Sequence, residues 1–270
     1  MNFAAESGKH GYDDSYREFD SPLMRQVRRE AYGKDIGQHS WVTAEDLEPD
    51  IVRLQLSSAS RFLDLGCGPG GPLTFVVGRV GCRGTGVDLS SQAITSGGAR
   101  AASLGIAHLI VLQEADLNAP LPFASSSFDA VMSLDVLLHL RDREAVLREV
   151  GRILAPGGRL LFTDAGVATG EISDEEMRAR SVQGATQFVA HGHNERILDL
   201  AGFRLLEIQD RTASLLKNAA GRLAARLAHR AELELAEGQA YFAGQNRYLE
   251  TVIALSQRGA ASRMMYLAER

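Results

Sequence analysis

The sequence predicts an α/β fold: a seven-stranded, mostly parallel sheet with helices on both faces and its last strand antiparallel. Two observations carry this. From Arg61 onward, short aliphatic runs alternate with amphipathic stretches, the pattern of parallel strands joined by covering helices. A final apolar run, Met264 to Ala268, then follows two long helical stretches and completes the sheet at its antiparallel end.

Composition narrows the function classes. A chain of 270 residues buries one sizeable core with additions. A net charge of −5 argues against a nucleic-acid partner, which needs a basic face to neutralise phosphates. No apolar stretch reaches the roughly 18 residues of a membrane helix; even Asp129 to Leu140 is broken by Asp135 and His139. The first fifteen residues carry Glu6, Lys9, Asp13 and Asp14 without an apolar run, unlike a secretory signal. Cys67 and Cys82 are the only cysteines and show no metal-ligand spacing, so a reduced, cytoplasmic protein without a metal is expected.

In chain order, residues 1–58 read as an N-terminal helical segment and lid, polar and dotted with Tyr12, Tyr16, Tyr32 and Trp41. Helices are expected at Ser21 to Tyr32 and Thr43 to Gln55, the second opened by a Thr43–Asp46 capping box. Residues 59–210 form the core. Its strands are Arg61 to Leu65, a run ending at Gly84 to Asp88, His108 to Gln113, Phe128 to Leu134, Arg159 to Thr163 and Phe203 to Gln209. Ser90 N-caps a helix running to about Leu104; another, Arg143 to Leu154, is stopped by Pro156, Gly157 and Gly158. Asn194 caps a helix over Glu195 to Leu200. Residues 211–270 read as a helical cover, Ala213 to Ala236 and Gln239 to Arg258, plus the last strand, all within one structural domain. Arg222 to Glu237 shows a solvated face over an apolar stripe, which would equally serve a homodimer.

The strongest local signal is Phe62-Leu63-Asp64-Leu65-Gly66-Cys67-Gly68-Pro69-Gly70-Gly71. Glycines directly after a buried strand let the backbone turn sharply and approach a ligand. Gly66, Gly68 and Gly71 also satisfy the dinucleotide fingerprint, with Asp88 near its ribose acid. Asp64 separates the readings: it suits an ammonium and would repel a pyrophosphate. Asp88 can accept from both ribose hydroxyls, and Asp116 from an adenine amino group. Three acids around a glycine loop fit a cationic sulfonium nucleoside better than a dianionic dinucleotide. Cys67 reads as a small filler beside the backbone, not a nucleophile.

Four ordered segments, LDLGCGPGG, GTGVDLS, EADLNAPLPF, and FDAVMSLDVLLHLRD leading into LREVGRILAPGGRLLFTD, make the chain resemble the class I S-adenosylmethionine-dependent methyltransferases. That resemblance covers about Arg61 to Asp164 and implies a Rossmann-like sheet that binds S-adenosylmethionine. It implies that Gly66, Cys67, Gly68 and Gly70 carry the methionine moiety near Asp64. Asp88 and Leu89 would then hold the ribose, Asp116 and Leu117 bracket the adenine, and Ser133 and Leu134 line the site. Tyr32 to Gln38 and the Ser262 to Tyr266 ending are similar to the phosphoethanolamine and sarcosine/dimethylglycine methyltransferases, which adds Gln38 to the cofactor contacts.

Methyl transfer from a sulfonium is an in-line displacement, so the protein chiefly aligns the partners. The candidate base is His139, after the fourth strand at the carboxyl edge of the sheet; packing of the following helix is its structural alternative. In the phosphoethanolamine group a histidine here pairs with an N-terminal tyrosine, a part for Tyr16 or Tyr12. The tyrosine-and-basic cluster that grips phosphate in that group has no clear counterpart between Asp164 and Gly202, where Glu171, Asp174, Glu175, Arg178, Arg180, His191 and His193 stand. His191 and His193 read as a solvated loop, since two histidines without a third ligand make a thin metal site. The expectation is a methyltransferase acting on an N or O atom of a small molecule. Its rivals are a nicotinamide-dependent oxidoreductase and a non-catalytic S-adenosylmethionine-binding protein.

Overall fold

The computed structural model describes residues 13, 16, 18–181 and 186–270. Tyr12 and most of the expected lid before Glu18 lie outside them. Five strands, β1 (Arg61–Leu65), β2 (Arg83–Asp88), β3 (Ile110–Glu114), β4 (Phe128–Leu134) and β5 (Leu154–Ala168), run parallel. A two-residue β6 (Val189–Ala190) pairs with the end of β5. β7 (Arg204–Asp210) and β8 (Ala261–Glu269) complete the sheet in the order β3-β2-β1-β4-β5-β8-β7, with β8 antiparallel to both neighbours. Seven strands form the main path, as the sequence predicts; β6 is the addition.

Alternation along the strands divides the core in two. Leu63, Leu65, Val131, Phe162 and Tyr266 face one side, and Phe62, Ala130, Met132, Leu161 and Met265 face the other. Each set packs under helices, so the strands are apolar on both faces. The chain runs outward from β1 to β3, then returns to β4 beside β1. This reversal opens a crevice at the carboxyl ends of β1 and β4, the place where open α/β sheets bind ligands.

The helices are α1 (Pro22–Tyr32), α2 (Ala44–Arg53), α3 (Gly71–Val80), α4 (Ser91–Ser103), α5 (Arg143–Ile153), α6 (Asp174–Arg180), α7 (His193–Leu200), α8 (Thr212–Ala228), α9 (Arg230–Glu237) and α10 (Gln239–Gln257). Caps fix several starts. Ser21 and Ser90 accept from the backbone three residues on, and Thr43 with Asp46 closes both bonds of the expected box at 3.1 Å. α1 packs Val27 against Ala225, Leu233 and Phe242, joining the N-terminal and C-terminal helices in one layer beside the crevice.

Several expectations change. β3 begins at Ile110 because Ala107–Leu109 winds into a 3₁₀ turn that takes His108. Pro156 to Gly158 do not separate α5 from the next strand. Leu154 already pairs with Phe128, and the three residues sit at a register shift before Arg159. The expected helix Ala213 to Ala236 is two. His229 leaves helical dihedrals (φ −105°, ψ 28°) with its ring between Glu30 and Glu232 at 3.0 and 3.2 Å. The change of direction turns Arg226 inward against Asn246, Glu237 and the Phe242 ring, while Leu227 and Leu235 face outward. Arg222 to Glu237 is therefore not a simple solvated face over an apolar stripe.

Asn194 does not cap α7. Gly192, at φ 85°, takes that position, and Asn194 is buried with its Nδ2 donating to Asp164 at 2.8 Å and its Oδ1 accepting from Arg143 at 3.2 Å. α6 and its Ser173–Glu176 capping box were not expected. No helix among the described residues is long and apolar enough to cross a membrane.

Candidate active site

The crevice holds a cavity of about 280 Å³. Its floor is the turn after β1. Gly66 sits at φ 70°, and a Cβ there would lie 2.5 Å from Val136, so only glycine permits both the turn and this contact. Gly71 opens α3 against the backbone of Ile36 and Gly37, where a Cβ would come within 2.2 Å of the Gly37 carbonyl oxygen. The third glycine of the apparent dinucleotide fingerprint is thus occupied by the chain's own loop.

Three acids face the cavity at one end. Asp64 is 2 % exposed, and its Oδ2 is buried with no hydrogen-bond partner among the described residues. Burial, reinforced by neighbouring Asp88, pushes its pKa up to about 8. Asp88 takes the Gly68 N–H at 2.8 Å and the Ser90 N–H at 2.9 Å, so it braces the loop while facing the cavity. Burial also raises its pKa above the usual carboxylate value, against the opposing pull of those N–H groups. Asp116 accepts from both the backbone and the side-chain nitrogen of Asn118 through Oδ1. Leu89 and Leu117 complete this half. Cys67 lines it too, but burial drives its thiol pKa well up, which suits the filler role and not a thiolate.

The other half lies under the helical cover. Leu134, Asp135, Val136, Leu138 and His139 come from the end of β4 and the 3₁₀ turn Leu137–His139. Asp135 adopts φ 58° and accepts from Arg263 Nε at 3.0 Å, Thr163 Oγ1 at 3.0 Å and the Trp41 N–H at 3.2 Å. That fully buried ion pair ties β4, β5, β8 and the segment after α1 together at the mouth of the cavity. Trp41 stacks on Tyr248, and α6, α8 and α10 contribute Arg180, Arg222 and Gln245.

Most residues expected at the site come together around this cavity: Tyr16, Asp64, Gly66, Cys67, Gly68, Asp88, Leu89, Asp116, Leu117, Leu134 and His139. Three stand behind it. Ser133 donates to the Leu65 carbonyl at 3.1 Å and joins β4 to β1. Gly70 lies under Gly97, and Gln38 turns back on its own loop, accepting from the Ile36 N–H at 2.9 Å. Tyr16 is buried over the glycine loop, its hydroxyl 3.3 Å from where a Gly68 Cβ would stand, and its ring meets His39 edge-on at 5.2 Å.

His39 escaped the sequence reading. Burial, together with nearby Arg222 and His139, holds its pKa down at about 3, so the ring is neutral in the cavity wall. A single histidine in a polar stretch carries no periodicity that marks it. Of the residues between Asp164 and Gly202, where no counterpart of a tyrosine-and-basic cluster is expected, the buried Arg180 reaches the cavity. The helical spacing of α6 gave no sign of which arginine points inward. His191 and His193 are not in the cavity wall.

Residues 63–162 match the family described as "Methyltransferase domain". The chain is 30% identical over 168 residues to the methyltransferase GfsG of Streptomyces halstedii, covering 58% of each protein. The chain spans about half the length of the curated relatives it matches. Among solved structures it is similar to a putative sarcosine dimethylglycine methyltransferase from Galdieria sulphuraria, with a TM-score of 0.81, 21% identity, and 96% and 98% of the two chains covered. It is also similar to the [4+2]-cyclase SpnF, with a TM-score of 0.78, 21% identity, and 99% and 96% covered. Residues 63–162 thus match a methyltransferase-domain model, and the sheet around them has the fold of these two solved structures. Because a cyclase shares that sheet, the reaction has to be argued from the site.

Proposed function

We propose that this protein binds S-adenosylmethionine at the glycine-loop end of the cavity and methylates an N or O atom of a small molecule held under the helical cover. One observation carries the reading: the buried, unpartnered Oδ2 of Asp64, beside Asp88 and facing a nucleoside-sized cavity. An unpaired carboxyl oxygen in such a place costs free energy unless a donor or cation meets it. A sulfonium nucleoside with an ammonium group supplies both, whereas a pyrophosphate supplies neither and adds negative charge beside two buried carboxyl groups that burial already disfavours ionising. The sheet also ends in an antiparallel β7–β8 pair and not in a second parallel nucleotide-binding half, which disfavours the oxidoreductase.

When bound, the cofactor would supply an electrophilic methyl group whose departing sulfur keeps the bonding pair. The residues of this chain do the rest. Asp88 and Asp116 accept from ribose and adenine, and Asp64 faces the amino-acid end. Trp41, Leu138 and Tyr248 exclude water around the acceptor. His139 lies at the edge of β4 to take an acceptor proton where one must leave, and Tyr16 roofs the glycine loop. His39, held neutral with its pKa near 3, can accept a hydrogen bond in this half but is a poor acceptor of a proton. Incubation with S-adenosylmethionine bearing a labelled methyl group and a mixture of small amines, phenols and carboxylic acids tests the reading. Labelled product forming in step with S-adenosylhomocysteine is expected. Cofactor binding without any methylated product would leave a binding protein or another reaction.

A further inference from the structure

A second cavity, of about 720 Å³, opens between α1 and α4 and shares no lining residue with the first. Its size falls within the roughly 300–1,000 Å³ of small-molecule sites. Its walls bring together cations from three stretches of chain: Arg25 and Arg29 from α1, Lys34 from the turn after it, and Arg100 from α4. Asp20 and Asp35 stand among them, and both are already taken. Arg28, buried and not itself in the wall, donates to Asp35 at 2.8 and 3.2 Å and to Asp20 at 3.3 Å, while Arg100 Nη2 also donates to Asp20. Five cations thus stand against two carboxylates, in a chain whose net charge is −5. Arg29 and Lys34 are ion-paired with no carboxylate among the described residues, and Lys34 Nζ lies 5.2 Å over the Phe75 ring.

Arg100 is held in place by backbone. A Cβ on Gly37, at φ 76°, would come within 2.1 Å of the Arg100 Cζ, so glycine is required there for the guanidinium to sit against the turn. Its Nε is buried with no partner among the described residues. Burial, with Arg28 and Arg25 nearby, pulls its pKa below the ordinary arginine value, against the opposing pull of Asp20 and Asp35. Ser96, also in the wall, makes no hydrogen bond through its hydroxyl among the described residues.

Cations crowded into one concavity repel one another unless an anion enters it. We propose that this groove is a second ligand site, for a soluble small molecule bearing two or more linked phosphates. Arg29 and Lys34 meet the phosphates from α1 and its turn, and Arg100 and Ser96 meet them from α4. A single carboxylate would match one cation and leave the rest crowded. Linked phosphates concentrate several negative charges over a few ångströms and offer guanidinium groups paired oxygens. The concave shape and the chain's negative net charge favour a small molecule over a nucleic acid. This site stands apart from the methyltransferase reading and does not depend on it.

The test is calorimetric titration of the whole protein with inorganic diphosphate and, separately, orthophosphate, at one ionic strength set with sodium chloride. Diphosphate should bind saturably, one to one, and about tenfold or more tightly than orthophosphate. The double variant Arg29→Gln, Lys34→Gln should lose about tenfold or more of that affinity. Both side chains are exposed, so the fold is not at stake. Arg222→Gln, in the other cavity, should keep diphosphate affinity within about twofold. No saturable heat, equal affinity for the two anions, or a loss in Arg222→Gln that the double variant does not show would overturn the proposal. So would sedimentation with phosphatidylglycerol vesicles by a protein that binds no diphosphate, since the groove would then serve a membrane surface.

Discussion

Asp88 accepts a hydrogen bond from the Gly68 backbone N–H at 2.8 Å, tying the end of β2 to the glycine loop that follows β1. The same carboxylate faces the cavity, so it shapes the loop and, on the proposed reading, would offer its remaining lone pairs to a ribose. Asp88→Ala removes both. Affinity for S-adenosylhomocysteine should fall by about 2–4 kcal/mol, from two charge-assisted bonds with partial compensation by water. Calorimetric titration of a folded variant checks this; unchanged affinity would place the ribose elsewhere.

Asp116 makes a smaller demand. Its Oδ1 is engaged by Asn118, which on the proposed reading leaves Oδ2 to accept from an adenine amino group. Asp116→Asn can place a donor against that donor, and affinity should drop roughly tenfold, about 1.4 kcal/mol. A gain in affinity would contradict the adenine assignment.

The Asp64 carboxyl gives the site a pH dependence. With its pKa pushed up to about 8, it holds its proton at neutral pH in the empty cavity. The folded value lies above the ordinary 3.8, so its contribution to stability is fully present below that value and is lost as pH rises toward 8. A cationic ligand favours the ionised form and lowers the bound-state pKa. Binding at pH 7 should therefore release a proton, and affinity should rise with pH up to about 8 before levelling. Titrations in two buffers of different ionisation enthalpy measure that proton. Its persistence in Asp64→Asn would show that another group supplies it.

Arg263 and Asp135 form the buried pair at the mouth of the cavity, at 0% and 6% side-chain exposure. Arg263→Met leaves Asp135 charged and unmatched and should cost about 3–5 kcal/mol in urea unfolding. The double variant with Asp135→Asn should recover much of that loss, because the orphaned charge is gone. If the double variant is as unstable as the single one, the loss comes from packing and not from charge.

Much of this was legible in the sequence because it depends on local chemistry. Strand periodicity placed the sheet path, Thr43 and Ser90 announced their caps, and the glycines with Asp64, Asp88 and Asp116 marked residues that meet at one end of the cavity. What escaped depends on distant contacts. His229 breaks a helix through Glu30, almost two hundred residues away in sequence. Asn194 is drawn off its cap by Asp164. His39, Arg180, Arg222 and Gln245 become neighbours of one cavity only when four separate segments fold over it. Nothing in their local spacing encodes that meeting.

The central claim is that the cavity above the glycine loop is a site for a sulfonium nucleoside, not for a dinucleotide. Isothermal titration of the purified protein with S-adenosylhomocysteine and, separately, with NAD tests it most directly. The account predicts one-to-one binding of S-adenosylhomocysteine, weakened in Asp88→Ala, and no measurable heat with NAD. Saturable binding of NAD that is lost in Asp88→Ala, with none of S-adenosylhomocysteine, would contradict it.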